Sequence, residues 1–90
     1  MAKHIVKRRG HKEPFDPRKI YGSTYAACRN THLSETQSEK IAETVSARIE
    51  KWVADKKELS SDQIFRQIIV VLKELHPDAA FLYETHRDIS

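Results

Sequence analysis

The sequence predicts an α+β fold in which a small N-terminal β-hairpin caps a bundle of about four helices. Apolar and charged residues alternate over residues 3–8, just before Gly10, as in a strand that enters a turn. Further along, apolar residues recur at the three- and four-residue spacing of amphipathic helices. Ninety residues provide for one modest core. We therefore expect a single domain, residues 1–90, with a β-cap over 3–16 and a helical bundle over 17–88.

The β-cap is predicted from its turn and from the helix start that follows it. Gly10 can adopt the positive φ that a tight hairpin requires. Residues 12–15 then return as the second strand, and Pro14 ends that strand or restricts it to an edge. Asp16-Pro17 predicts a helix start, because aspartate accepts unpaired backbone N–H groups and proline is preset for the first turn.

The first two helices are predicted over residues 17–30 and from a capping box at Ser34–Gln37 to residues 56–58. Both show an apolar stripe that we expect to be buried. The predicted buried positions are Ile20, Thr24, Ala27 and Cys28 on the first helix, and Ile41, Val45, Ile49, Trp52 and Val53 on the second.

A second capping box at Ser60–Gln63 opens the third helix, and Pro77 restarts the chain as the fourth. The third helix is apolar on more than one face, so we expect it to lie centrally. Its predicted buried residues are Ile64, Ile68, Val71, Leu72 and Leu75, broadened by Ile69 and Val70. On the fourth helix we expect Ala80, Tyr83 and Arg87 on the inner side.

Positive charge is concentrated at the N-terminus. Residues 1–20 contain seven Lys and Arg against two Asp and Glu, whereas the remaining seventy residues contain nine against eleven. A cationic hairpin that leads into a helix N-terminus suits an anion such as phosphate. Packed on the bundle, the hairpin would form a cleft with cationic lining and apolar walls beside the ends of the first and third helices. Such a cleft suits a nucleoside triphosphate.

Several other classes of protein are disfavoured by the sequence. There is no Gly-x-x-x-x-Gly-Lys-Ser/Thr loop, no ligand spacing among the five His residues and no visible acid–base or nucleophile constellation, so we expect neither an enzyme nor a metal site. No apolar run reaches the roughly 20 residues of a membrane span, and the basic N-terminus lacks the apolar region of a signal peptide. A single Cys28 cannot form an intramolecular disulfide, which favours a cytoplasmic protein.

The first twenty residues resemble the signature of the ATP-cone family through Val6-Lys7-Arg8-x-Gly10, then Glu13, then Phe15-Asp16-x-x-Lys19-Ile20. The resemblance continues through the capped third helix to Ala80-x-x-Tyr83-x-x-x-Arg87 and covers essentially the whole chain. ATP cones are small nucleotide-binding regulatory domains of ribonucleotide reductases and of the bacterial repressor of reductase genes. Their fold, a β-cap over a helical bundle, agrees with the order of elements predicted above.

The resemblance implies a site for ATP or dATP, with Mg²⁺ as the expected counter-ion of the triphosphate. In it, the cationic side chains would hold the phosphates, and Ile5, Phe15 and Ile20 would enclose the nucleoside. Glu13 would hydrogen-bond the base or sugar, or order the basic side chains, and Ser61 would lie near the adenine. The implied binding residues are Ile5, Val6, Lys7, Arg8, Glu13, Phe15, Lys19, Ile20, Ser61 and Arg87. The alternative is that the cations are solvated surface charges and that Phe15 and Ile20 only pack in the core.

The sequence departs from the family pattern at two positions and lacks a further feature of the repressor. Arg9 stands where the family usually has a small or acidic turn residue, and His86 stands where an aromatic residue commonly precedes the final Arg. One cysteine cannot supply the four-cysteine zinc ribbon of the repressor, so we expect the cone alone.

Two functions follow from these observations. The first is a regulatory adenine-nucleotide-binding module that acts through oligomerisation or through a partner such as ribonucleotide reductase. Helix 4 and the exposed side of helix 3, at Ile69 and Val70, would be its contact surfaces. The alternative is a small basic nucleic-acid-binding protein that uses the hairpin as a phosphate clamp.

Overall fold

The computed structural model describes residues 4–6, 12–56 and 58–85. Two strands come first, β1 (His4–Val6) and β2 (Lys12–Pro14), followed by the helices α1 (Pro17–Arg29) and α2 (Glu35–Ala54). A two-residue strand, β3 (Leu59–Ser60), leads directly into α3 (Ser61–Leu75), and α4 (Pro77–Thr85) follows. The four predicted helices are confirmed, and their order is the one expected from the sequence.

The three strands form one small sheet in the order β2-β1-β3. β1 runs antiparallel to β2, with Ile5 opposite Glu13, and parallel to β3, with Val6 opposite Ser60. The turn predicted at Gly10 lies outside the described residues, so the hairpin as a unit stays a prediction. β3 was not predicted from the sequence, because two residues are too short to show a period of two. Its pairing attaches the N-terminal segment to the start of α3.

Side-chain caps define the starts of the first three helices. The carboxylate of Asp16 accepts from the backbone N–H of Arg18 at the start of α1. At α3 the predicted capping box is complete: the hydroxyl of Ser60 accepts from the Gln63 N–H at 3.1 Å, and the Gln63 side chain accepts from the Ser60 N–H at 2.9 Å. At α2 the hydroxyl of Ser34 caps the helix by accepting from a backbone N–H.

The core lies between α1, α2 and α3, and it is closed by the small residues of α4 and by β3. All four positions predicted to be buried on α1 are buried. On α3, Ile64, Ile68, Val71 and Leu72 are buried as predicted, whereas Ile69 is half-buried and Val70 is 53% exposed. The core cluster comprises Ile20, Ala27, Cys28, Val45, Ile49, Val53, Leu59, Ile64, Ile68, Val71, Leu72, Ala79 and Ala80.

The predicted faces of α2 and α3 need correction. On α2, Ile41 and Trp52 are only half-buried, and the fully buried positions include Ser38 and Ala42. The face turned toward the core is therefore rotated toward small residues, which allow neighbouring helices to approach closely. On α3, Leu75 is 38% exposed, because the helix ends there and the chain turns into α4.

Candidate functional site

The starts of α1 and α3 both adjoin the sheet. β2 ends at Pro14 and α1 begins three residues later, whereas β3 ends at Ser60 and α3 begins at the next residue. β2 runs antiparallel to β1 and β3 runs parallel to it, so Pro14 lies beside His4 and Ser60 beside Val6. The starts of α1 and α3 therefore follow strands on the two edges of one small sheet, which joins segments that are far apart in the sequence.

The predicted binding residues that the structure describes lie on these elements. Two of them belong to β1 and one to β2, namely Ile5, Val6 and Glu13. Phe15 lies between β2 and α1, and Lys19 and Ile20 lie in the first turn and a half of α1. Ser61 is the first residue of α3. The remaining three, Lys7, Arg8 and Arg87, lie outside the described residues, and their placement stays a prediction.

The predicted binding residues at this end differ in their exposure to solvent. Lys19 and Ser61 are exposed. Ile20, in contrast, is 6% exposed and belongs to the same core cluster as Leu59 and Ile64, and Phe15 is half-buried against that cluster. The core-packing interpretation of Ile20 and Phe15 therefore holds, and their contact with a nucleoside stays a prediction. Through these two side chains, the segment that leads into α1 is packed against the core of the bundle.

The positive end of α1 is already occupied by a carboxylate. Asp16 Oδ1 accepts from the backbone N–H of Arg18 at 3.0 Å and from Arg18 Nε at 3.1 Å, and its Oδ2 accepts from Arg18 Nη2 at 3.2 Å. These hydrogen bonds, first that from the Arg18 side chain, lower the pKa of Asp16 below its usual value. The ionised carboxylate satisfies the helix dipole at neutral pH.

The expectation that the helix N-terminus itself attracts a phosphate stays a prediction, and at α1 the capping carboxylate of Asp16 opposes it. An approaching phosphate would meet the negative charge of Asp16 rather than free N–H groups. The first turn of α3 also carries an acidic residue, Asp62. Of the cationic side chains predicted to bind phosphate, Lys19 lies among the described residues, and its contact with phosphate stays a prediction.

The structure adds three residues that sequence reasoning did not connect to the site. Tyr83 Oη lies 3.1 Å from the hydroxyl of Ser23 on α1, and its ring centroid lies 5.4 Å from that of Phe65 on α3. Ser23 follows Lys19 by four residues, and Phe65 follows Ser61 by four, so each pair shares one helix face. Tyr83 was predicted only to lie on the inner side of its helix. Burial raises the pKa of the Tyr83 hydroxyl.

An open groove of about 350 Å³ lies elsewhere, between α2 and α3. Its lining includes Trp52 and the exposed Val70, with the charged residues Lys51 and Asp55 at its border. The ammonium of Lys56 lies 5.2 Å from the centroid of the Trp52 ring. The groove carries charges of both signs and none of the predicted binding residues. It is therefore not the cationic cleft that the sequence predicts.

Within residues 4–6, 12–56 and 58–85, no group of three or more His, Cys, Asp or Glu side chains is placed to hold a metal ion. Over the same ranges no helix has the length and apolar character that a membrane span requires.

Comparison with known proteins identifies the family. The model of the ATP cone domain matches residues 3–89 of this chain. The chain therefore belongs to the ATP-cone family, as its first twenty residues suggest. ATP cones are nucleotide-binding regulatory modules whose ligand is ATP or dATP.

The chain is also similar to proteins named transcriptional repressor NrdR. It is 32% identical over 91 residues to the protein of Bdellovibrio bacteriovorus, covering 94% of this chain and 45% of that relative. It is 26% identical to the protein of Geobacter metallireducens, covering 96% and 59%. It is 31% identical to the protein of Allorhizobium ampelinum, covering 96% and 54%. The chain thus spans about half the length of the relatives it matches.

Proposed function

We propose that residues 1–90 form a single regulatory module that binds ATP or dATP at the end where the sheet meets α1 and α3. The observation that carries the proposal is that one small sheet joins the N-terminal segment to the starts of both helices. β1 pairs with both β2 and β3, so the signature residues of the N-terminal segment lie on elements that adjoin Lys19 and Ser61. Membership of the ATP-cone family supplies the class of ligand.

The proposed roles follow from the chemistry of each group. Lys19, together with Lys7 and Arg8, neutralises the triphosphate, because the carboxylate of Asp16 leaves no free helix end to do so. The hydroxyl of Ser61 faces solvent at the start of α3 and can hydrogen-bond the base or sugar. Mg²⁺ bound to the phosphates would reduce their repulsion from Asp16. We propose the same ligand role for Ile5, Val6, Glu13, Phe15, Ile20 and Arg87.

Binding has a regulatory consequence only if two states of the protein differ in affinity for the nucleotide. We propose that occupancy changes how this module assembles with itself or with a partner. Similarity to transcriptional repressors favours a partner in gene regulation, and the family also points to ribonucleotide reductase. We propose binding without turnover, so that ATP recovered after incubation with the protein should be unchanged.

Thermal unfolding tests the proposal. The chain is unfolded without ligand and with ATP, dATP or GTP, with and without Mg²⁺. At about one hundred times the dissociation constant, a ligand stabilises the fold by about 2.7 kcal/mol, which for a domain of this size shifts Tm by about 10 °C or more. A Lys7→Ala/Lys19→Ala variant should lose the shift. Lys40→Ala, which removes an exposed lysine of α2, is the matched control and should keep it.

An adenine-selective shift that depends on Lys7 and Lys19 supports the proposal. Absence of a shift with every nucleotide contradicts it. Equal shifts in the variant and the control would place the ligand somewhere else.

A second candidate is a nucleic-acid clamp, favoured by the charge of residues 1–20 and by the relatives named transcriptional repressors. The two candidates differ in their response to salt. Clamping of phosphates by several cations loses affinity steeply as salt rises and prefers a polymer, whereas the nucleotide site saturates with a mononucleotide and discriminates adenine from guanine. A fluorescent oligonucleotide titrated at two salt concentrations, in competition with ATP, separates them.

A further inference from the structure

Tyr83 of α4 contacts both helices that begin at the proposed nucleotide site. Its hydroxyl lies 3.1 Å from Ser23 Oγ, in the second turn of α1. Its ring packs on Phe65, in the second turn of α3, with the two planes tilted by 30°. Tyr83 is half-buried between these partners. One side chain therefore connects two helix starts that are about forty residues apart in the chain.

The hydrogen-bond directions link Tyr83 to the first turns of α1. The Ser23 hydroxyl donates its single hydrogen to the carbonyl oxygen of Ile20 at 3.2 Å. Because a serine hydroxyl has one hydrogen but two lone pairs, Ser23 then accepts the hydrogen of Tyr83. The neutral phenol is the form that can donate, and burial raises the pKa of Tyr83, which keeps it neutral. A chain of two hydrogen bonds thus runs from α4 to Ile20, the neighbour of Lys19.

We propose that Tyr83 is a positioning residue that fixes the starts of α1 and α3 relative to each other and so preorganises the nucleotide site; this inference rests on the function proposed above. Lys19 and Ile20 lie on one of the two helices, and Ser61 on the other. Holding them in place before the ligand arrives lowers the ordering cost of binding. By reciprocity, a bound nucleotide strengthens the contact between α4 and the two helix starts.

The ring and the hydroxyl of Tyr83 contribute differently. The ring contact with Phe65 supports the packing of α4 on α3, and it survives replacement of Tyr83 by phenylalanine. The hydroxyl supplies the hydrogen bond to Ser23 of α1. Tyr83→Phe therefore removes this bond while leaving the aromatic contact in place, which separates positioning of the site from general packing.

The test is isothermal titration of ATP into the full chain and five variants. Tyr83→Phe, Ser23→Ala and the double variant remove one or both ends of the hydrogen bond, and Ser23→Thr retains a hydroxyl. Tyr25→Phe is the control, since Tyr25 lies on α1 and stacks on Tyr21 with no hydrogen bond from its hydroxyl among the described residues. Unfolding temperature without ligand is measured on every variant.

We expect each single loss to weaken ATP binding by about 3- to 10-fold, the range of one hydrogen bond. The double variant should bind no more weakly than either single variant, because both remove the same bond. Ser23→Thr and Tyr25→Phe should bind like the unaltered chain. Because Ser23 is exposed, Ser23→Ala should fold even if Tyr83→Phe does not. In that case the ATP affinity of Ser23→Ala alone decides the test.

Unchanged ATP affinity in Tyr83→Phe and Ser23→Ala, with or without a lower unfolding temperature, would overturn the inference and reduce Tyr83 to a packing role. Additive losses in the double variant would overturn it too, because the two hydroxyls would then act separately. Failure of the unaltered chain to bind ATP is a different result, since it would overturn the proposed function itself.

Discussion

The interior of the helix bundle and the end of the molecule at the sheet are built on different principles. In the interior, Val45, Ile49 and Leu72 have no exposed surface, and the contacts are apolar and closely packed. At the sheet end, buried residues such as Ile20 alternate with exposed polar ones such as Lys19 and Ser61. The interior determines stability, and the sheet end offers charge to solvent. Stability and nucleotide binding should therefore respond to different substitutions.

The largest expected effect is loss of stability from the interior. Ile49→Ala removes a fully buried side chain from the centre of the core and should lower the free energy of unfolding by about 3–4 kcal/mol. Val70→Ala, on an exposed position of α3, should change it by less than about 0.5 kcal/mol. Urea denaturation measures both. Equal losses in the two variants would mean that the interior is not the dominant source of stability.

At the sheet end we expect a substitution to weaken nucleotide binding and to leave stability nearly unchanged. Lys19→Ala should weaken ATP binding by about 10-fold or more, because it removes a charged partner of the phosphates, while the unfolding free energy changes by less than about 0.5 kcal/mol. Calorimetric titration and urea denaturation of the same preparation measure the two quantities. A variant that binds ATP normally would remove Lys19 from the site.

A stabilising substitution is expected inside the bundle. The hydroxyls of Thr24 and Ser38 are buried without a hydrogen-bond partner among the described residues, and such a group carries an uncompensated desolvation cost. Thr24→Val keeps the shape and should raise the free energy of unfolding by about 1 kcal/mol. Thr44→Val, at an exposed threonine of α2 whose hydroxyl donates to a carbonyl, should not stabilise. A loss of stability in Thr24→Val would show that its hydroxyl has a partner in solution.

The smallest expected effect concerns pH. Hydrogen bonds from Arg18 lower the pKa of Asp16 in the folded state, so its contribution to stability is present above the unfolded value of about 3.9 and is lost as pH falls through the folded pKa. Asp16→Asn keeps an acceptor for the cap but does not titrate. The stability difference between the unaltered chain and this variant should therefore shrink as pH falls below about 4. A constant difference down to about pH 2 would contradict the assigned ion pair.

Local chemistry explains why much of the fold is predictable. Asp16, Ser34 and Ser60 each cap a helix at the position where the sequence predicts one, because a cap acts within three residues. The buried face of α1 follows from helical spacing alone. The spacing of apolar residues predicts the buried face of α2 less well, because Ser38 and Ala42 are buried although neither is strongly apolar. Size, rather than hydrophobicity, decides which residues fit between close helices.

Long-range features were not predictable in the same way. Pairing of β3 with β1 depends on two residues that meet a strand more than fifty residues earlier, and no local pattern encodes it. The bond between Ser23 and Tyr83 spans sixty positions, so it too requires the folded structure. The candidate binding residues came from family resemblance, and the structure places the described ones on adjoining elements without testing their contact with a ligand.

Binding of nucleotide at the sheet end can be observed residue by residue by amide chemical-shift mapping with NMR. Titration with ATP and Mg²⁺ should shift resonances of the strands and of the first turns of α1 and α3, including Lys19 and Ser61. The indole N–H of Trp52, the single tryptophan and a member of the α2–α3 groove, should stay in place. Shifts centred on Trp52 and Val70, with Lys19 and Ser61 unaffected, would contradict the claim and place the ligand in the groove.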